Sequence, residues 1–179
     1  MKINSAWHIT FSGRSLRIDI PGGYVFKRDA IVFTKTAKLG AYIKEDTRII
    51  PEKIAKAMKL RKYIALSEKT VVNAGVFEVR IEDADIYRMR YNISINDSLY
   101  FLSFIPDIVK PMSKDSVLLI PADTLYFSIE DLEKIKNFID LSKAKKIFAT
   151  GDMSSDLAGM FKPGKITVAS EAVQQDIFR

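Results

Sequence analysis

Ala30-Ile31-Val32-Phe33 is an unbroken apolar run that passes directly into the polar stretch Thr34–Tyr42. Such a run has no wet side. As a strand it has to be covered on both faces, which ties the chain to a layered architecture in which other elements lie above and below it. The polar stretch that follows carries Lys35, Lys38, small residues and Tyr42, and it holds no histidine.

The rest of the chain supplies the covering layers. Residues 6–12 and 14–20 are rich in β-branched and aromatic residues around Gly13 and read as two strands joined by a tight turn. Leu16, Ile18 and Ile20 alternate with Arg17 and Asp19, which predicts one buried and one wet face. Pro21-Gly22-Gly23 ends this pair, and Tyr24–Phe26 forms a short strand. Pro51 opens a helix to Leu60 with Ile54, Ala57 and Met58 on its inner side. Strands follow at Tyr63–Leu66, Val76–Ile81 and Ile86–Ile95, the last alternating through Tyr87, Met89, Tyr91, Ile93 and Ile95. Asn96-Asp97 is a turn signal into a strand over Leu99–Phe104. Val117–Ile120 is an apolar strand, and Ser128 with Asp131 opens a helix whose stripe is Leu132, Ile135, Phe138 and Ile139. Strands at Lys145–Ala149 and Ile166–Ala169 complete a single domain over residues 1–179, a mixed α/β sandwich with helices on the outer faces.

Composition then removes whole classes of chemistry. The chain has no cysteine and one histidine, His8. Thiolate nucleophiles, disulfides and thiolate metal sites are excluded, as is any site needing two imidazoles from one chain. Gly-x-Ser-x-Gly, the Walker A pattern and the dinucleotide glycine pattern are absent. No apolar run reaches the roughly 20 residues that span a bilayer, and no signal-peptide pattern opens the sequence, so the expected setting is cytoplasmic with no membrane partner. His8 sits in a strand beside Trp7 with nothing to place a nucleophile near it.

Several segments, in their shared order, resemble the metallo-β-lactamase superfamily and its four-layer αββα sandwich. "WHITFSG" and "LRIDIPGG" are similar to the opening hairpin with its Ile-Asp-Pro ending. "DAIVFTKTAKLGAY" sits where that family has a strand ending in Thr-His-x-His-x-Asp-His. "AGVFEVRIED", "SLYFLSFIPDIVK", the long strand–helix–strand segment Asp115–Asp152 and "LAGMFKPGKITVASEA" follow the later landmarks of the same pattern. The resemblance implies that Thr34 is kept, while the ligand positions fall on Lys35, Thr36, Ala37, Lys38, Leu39 and Gly40. The family's Gly-Asp position falls near Ser103-Phe104 and its last histidine near Thr150-Gly151. A lysine puts a cation where the metal's charge would lie, so the expectation is no metal and no other cofactor.

Three functional readings follow. The first is a non-catalytic metallo-β-lactamase-like protein that binds a protein partner, a second copy of itself or a small anionic ligand. Its vestigial-pocket candidates are Lys35, Lys38, Ser103, Asp123 and Asp152, and it assigns no catalytic residue. The second is a nucleic-acid-binding module, because the net charge is +6 and Lys53, Lys56, Lys59, Arg61 and Lys62 crowd one helix face and its exit. Glu45, Asp46 and Glu52 interrupt that patch. The third is a hydrolase with a rebuilt carboxylate metal site from Asp123, Asp152 and Asp156; Glu82, Asp83 and Asp85 match no calcium loop and read as a solvated turn.

Overall fold

The computed structural model describes residues 7–19, 30–32, 34–35, 47–60, 63–113 and 115–169. The expected strand at Tyr24–Phe26, the turn at Pro21-Gly22-Gly23, and Lys38, Tyr42, Arg61 and Lys62 lie outside them. Two compact units divide the chain, within Ala6–Asn96 and within Asp97–Arg179.

In the N-terminal unit β1 (Trp7–Phe11), β2 (Arg14–Ile18), β3 (Ala30–Val32), β4 (Thr47–Pro51) and β5 (Ile64–Leu66) form one sheet in that order. The β1–β2 pair is antiparallel, and every later pair is parallel. Ser12 and Gly13 join β1 to β2 with φ of 49° and 70°, the left-handed pair that a two-residue hairpin turn requires. One register row runs Trp7, Ile18, Val32, Ile49 and Ile64 across all five strands. The first four of these are buried, and Ile64 at the sheet edge is half open. β4 occupies residues read from sequence as loop, and α1 (Glu52–Ala57) follows it. The helix buries Ile54 and Ala55, whereas Ala57, expected on the inner side, is exposed.

The same unit holds β6 (Val72–Ala74), β7 (Phe77–Asp85) and β8 (Arg90–Ile95), paired antiparallel in that order. β6 was not legible in the sequence, and β7 runs past Ile81 through a bulge between Ile81 and Asp83. Glu82, Asp83 and Asp85 therefore lie on a strand rather than in a turn. Ser94 donates to Glu82 at 2.5 Å, and Asp85 accepts the Arg88 N–H at 3.0 Å. β8 begins four residues later than the alternation predicts, because residues 86–89 form the turn and leave Tyr87 fully exposed. Tyr91, Asn92, Ile93, Ser94 and Ile95 are buried in succession, so β8 is covered on both faces and the expected alternation fails.

The C-terminal unit carries a parallel sheet in the order β9 (Leu99–Phe101), β10 (Val117–Pro121), β11 (Lys146–Thr150) and β12 (Thr167–Val168). All five residues of β10 are buried. α2 (Leu132–Ser142) is entered through a single 3-10 turn whose first residue is preceded by Ser128. Asp131 accepts both the backbone N–H and the hydroxyl of Ser128 at 2.9 Å. Leu132, Ile135, Phe138 and Ile139 are buried as their spacing predicts, with Tyr100 against Phe138 at 6.3 Å between ring centres. α3 (Ser154–Gly159), six residues long, was not expected.

Candidate functional site

The polar loop that follows β3 is anchored by an aspartate. Asp19 ends β2 in the left-handed region at φ 53°, a conformation aspartate tolerates better than most residues. Its N–H donates to the Val32 carbonyl at 2.9 Å. Its carboxylate accepts the Thr34 N–H at 2.6 Å and also the Thr34 hydroxyl. Asp19 is 7% exposed and Thr34 is 0% exposed, and the Thr34 carbonyl accepts the Tyr91 N–H at 2.9 Å. The wet-face placement of Asp19 is thus overturned: once φ turns positive the strand's alternation stops, and the side chain swings back over the start of the loop. Burial, and secondarily the negative charge of Glu68, raise the Tyr91 hydroxyl above its ordinary pKa, so it stays a neutral phenol.

Lys35 follows this anchor and is half-buried. Among the C-terminal candidates, Ser103 is fully buried beyond β9 and Asp123 lies beyond β10, 7% exposed. The Asp123 carboxylate accepts the Leu125 N–H at 2.8 Å, and its carbonyl accepts the N–H groups of Tyr126 and Phe127. Asp123 therefore builds the turn that leaves β10. Asp152 and Asp156 are exposed. Among the described residues no group of three or more histidines, cysteines or carboxylates is placed to hold a metal ion, so Asp123, Asp152 and Asp156, the set of the third reading, form no such group.

Thr150 ends β11 opposite Pro121, and Gly151 follows it. The Thr150 hydroxyl oxygen is buried with no hydrogen-bond partner among the described residues. Gly151 adopts φ 100°, and a Cβ there would stand 2.5 Å from the Ala122 carbonyl oxygen and 2.7 Å from the Asp123 Cβ. Only glycine fits. The contact is fastened by the Met153 N–H donating to that same Ala122 carbonyl at 2.9 Å and by the Ser154 hydroxyl donating to Gly151 at 2.7 Å. The sequence offered Gly151 as a turn residue but gave no sign of the backbone it touches.

Of the lysine face, Lys53, Lys56 and Lys59 are exposed as expected. Lys56 is paired with Glu52 at 2.7 Å, which lowers the Glu52 pKa and raises that of Lys56 through their hydrogen bond and charge attraction. Lys59 lies past the end of α1 at φ 52°. No helix among the described residues is long and apolar enough to cross a membrane.

No protein-family model matches the sequence, and no curated protein sequence matches it. Solved structures do. The metallo-β-lactamase fold protein YhfI from Bacillus subtilis aligns at a TM-score of 0.62 and 13% identity, covering 94% of this chain and 89% of that one. A protein of the metallo-β-lactamase superfamily from Thermotoga maritima, named as a candidate zinc-dependent hydrolase, aligns at 0.56 and 10% identity, covering 92% and 93%. At these identities the likeness establishes the fold and says nothing of the activity.

Proposed function

We propose, from the premise that the chain has the metallo-β-lactamase fold, that it is a non-catalytic protein of that fold. It has no metal centre of the family's kind and acts by binding a protein partner or a small anionic ligand. Both units together are read as one such domain, working in the cytoplasm. One observation carries the proposal. The anchor that starts the loop after β3 is intact, with Thr34 clamped by Asp19, yet the next residue is Lys35 and the whole chain owns one histidine, placed in β1. The fold's hydrolytic chemistry needs several imidazoles and a bridging carboxylate, held in place by hydrogen-bonded neighbours. The donor set here does not fit such a group, and no step is routed through one. The rebuilt carboxylate alternative finds no support, since among the described residues no three carboxylates are grouped to hold a metal ion.

The test is elemental analysis of the purified protein after incubation with zinc, iron and manganese salts followed by gel filtration. The expected result is less than stoichiometric metal after exchange. Retention of one or two ions per chain, together with metal-dependent hydrolysis of a generic phosphodiester or thioester, overturns the reading.

A further inference from the structure

The amino end of the parallel sheet in the C-terminal unit gathers lysines that lie apart in the sequence. β10, β11 and β12 run the same way, so the chain returns to that end before each strand begins. α2 makes the return before β11 and leaves Lys143, Lys145 and Lys146 there. α3 makes the return before β12. A turn follows it, closed by the Lys165 N–H donating to the Lys162 carbonyl at 3.1 Å. Carrying the β11–β12 register back two residues from Phe148 and Thr167 sets Lys146 level with Lys165. One strand spacing, roughly 5 Å, separates the two positions. All five lysines are exposed.

Elsewhere in this unit lysines are answered by carboxylates. Lys134 stands 3.2 Å from Asp131, and Lys136 stands 3.6 Å from Asp140. Of the five at the amino end, only Lys145 has such a partner among the described residues, the exposed Asp115 at 3.7 Å. Lys143, Lys146, Lys162 and Lys165 pair with no carboxylate there. Like charges set side by side on neighbouring strands repel each other. Folding alone therefore gives no reason to gather them, whereas an external anion does.

We propose that this end of the sheet, with Lys146 and Lys165 at its centre, binds the phosphate backbone of duplex nucleic acid. Lysine is a compact point charge that meets a phosphate oxygen from many directions and reads no base. Residues 143–146 and 162–165 hold no arginine fork and no aromatic ring on which an unpaired base would stack, which favours a duplex over a single strand. A duplex carries one charge per about 1.7 Å of its axis, so the two strand spacings from β10 to β12, roughly 10 Å, match the charge of about six phosphates. The net charge of +6 steers the chain toward the same polyanion. The proposal is independent of the metal-free reading. It concerns the end of the strands opposite Asp123 and Thr150, and it stands whether or not metal is retained.

The experiment is fluorescence anisotropy of a labelled short DNA duplex with the full chain across a salt series. Lys146→Gln/Lys165→Gln is expected to weaken binding by on the order of tenfold or more and to reduce the salt slope by about 1.8, at about 0.9 per duplex phosphate contact. Lys146→Arg/Lys165→Arg, which keeps the charge and guards against a folding defect, is expected to keep the slope. Lys134→Gln/Lys136→Gln removes the same charge from α2 and is expected to leave the slope unchanged. Equal losses in the two glutamine variants overturn the proposal by assigning binding to net charge alone. Absence of binding at low salt, or a reduced slope in the arginine variant, also overturns it. Tighter binding to phosphatidylserine vesicles, oligothymidylate or polyglutamate than to the duplex does the same, pointing to a membrane surface, a single strand or an acidic protein instead.

Discussion

Two central parallel strands, β4 in the N-terminal unit and β10 in the C-terminal unit, differ in how completely they are buried. β10 is Val-Leu-Leu-Ile-Pro and is buried at every position. β4 is Thr-Arg-Ile-Ile-Pro and keeps Arg48 half-buried one residue from the fully buried Ile49. Eleven residues in α2 make a helix of about 16 Å against about 9 Å for α1. A long amphipathic helix such as α2 carries a full apolar stripe to lay on a sheet. α1, the helix described in the N-terminal unit, buries only Ile54 and Ala55. Burial of apolar area stabilises β10 at every position, whereas β4 carries a cation at one of its positions.

That contrast is most severely tested by exchanging the two characters. Leu119→Arg places an unpaired charge at a fully buried site in β10 and is expected to unfold the chain or to cost at least about 4 kcal/mol in urea denaturation. Arg48→Leu on β4 is expected to stay within about 0.5 kcal/mol of the parent. A large loss at Arg48 would show that its face is sealed and would sink the comparison.

Gly151→Ala comes next. It forces a Cβ against the Ala122 carbonyl in a backbone region that disfavours side chains, so a loss of about 2–4 kcal/mol is expected, read as a lowered urea midpoint at unchanged slope. Asp19→Ala, which strands the buried Thr34 N–H and hydroxyl, is expected to cost about 2–3 kcal/mol. Its companion Thr34→Val should remove much of the same energy, so a double variant costing the full sum of the two singles would show that the pair is not coupled.

The smallest effect belongs to the entrance of α2. Burial would raise the Asp131 pKa, but the Ser128 N–H and hydroxyl and the Lys134 ammonium outweigh it and hold the pKa below its ordinary value. A depressed carboxylate stabilises the fold above its unfolded pKa and loses that contribution as pH falls through the folded one. Asp131→Asn is therefore expected to cost about 1 kcal/mol near neutrality and nothing measurable once both states are protonated. An equal loss at both pH values would assign the effect to shape and not to charge.

Much of the C-terminal unit was legible in the sequence because local and tertiary demands agree there. Ser128 and Asp131 meet as a capping pair, and the stripe from Leu132 to Ile139 is buried as its spacing predicts. β6 and α3 were not legible, being three and six residues long, too short for periodicity to stand out. β8 misled for another reason: its alternation was real, but Asn92 and Ser94 are buried along with the apolar residues. Among the buried polar residues of the two units, the sequence named Ser103 and Asp123 but not Asp19, whose place in the Leu16–Ile20 alternation argued for solvent.

By itself the sequence determined the layered α/β class, through the apolar runs at Ala30 and Val117, and it excluded imidazole-rich and thiolate chemistry by holding one histidine and no cysteine. Only the tertiary structure decided that Asp19 clamps Thr34, that Gly151 lies against Ala122, and that Arg17 and Arg48 share a row. Composition is a property of the chain, whereas each of these pairings joins residues from 15 to 31 positions apart, and strand register alone sets which of them meet.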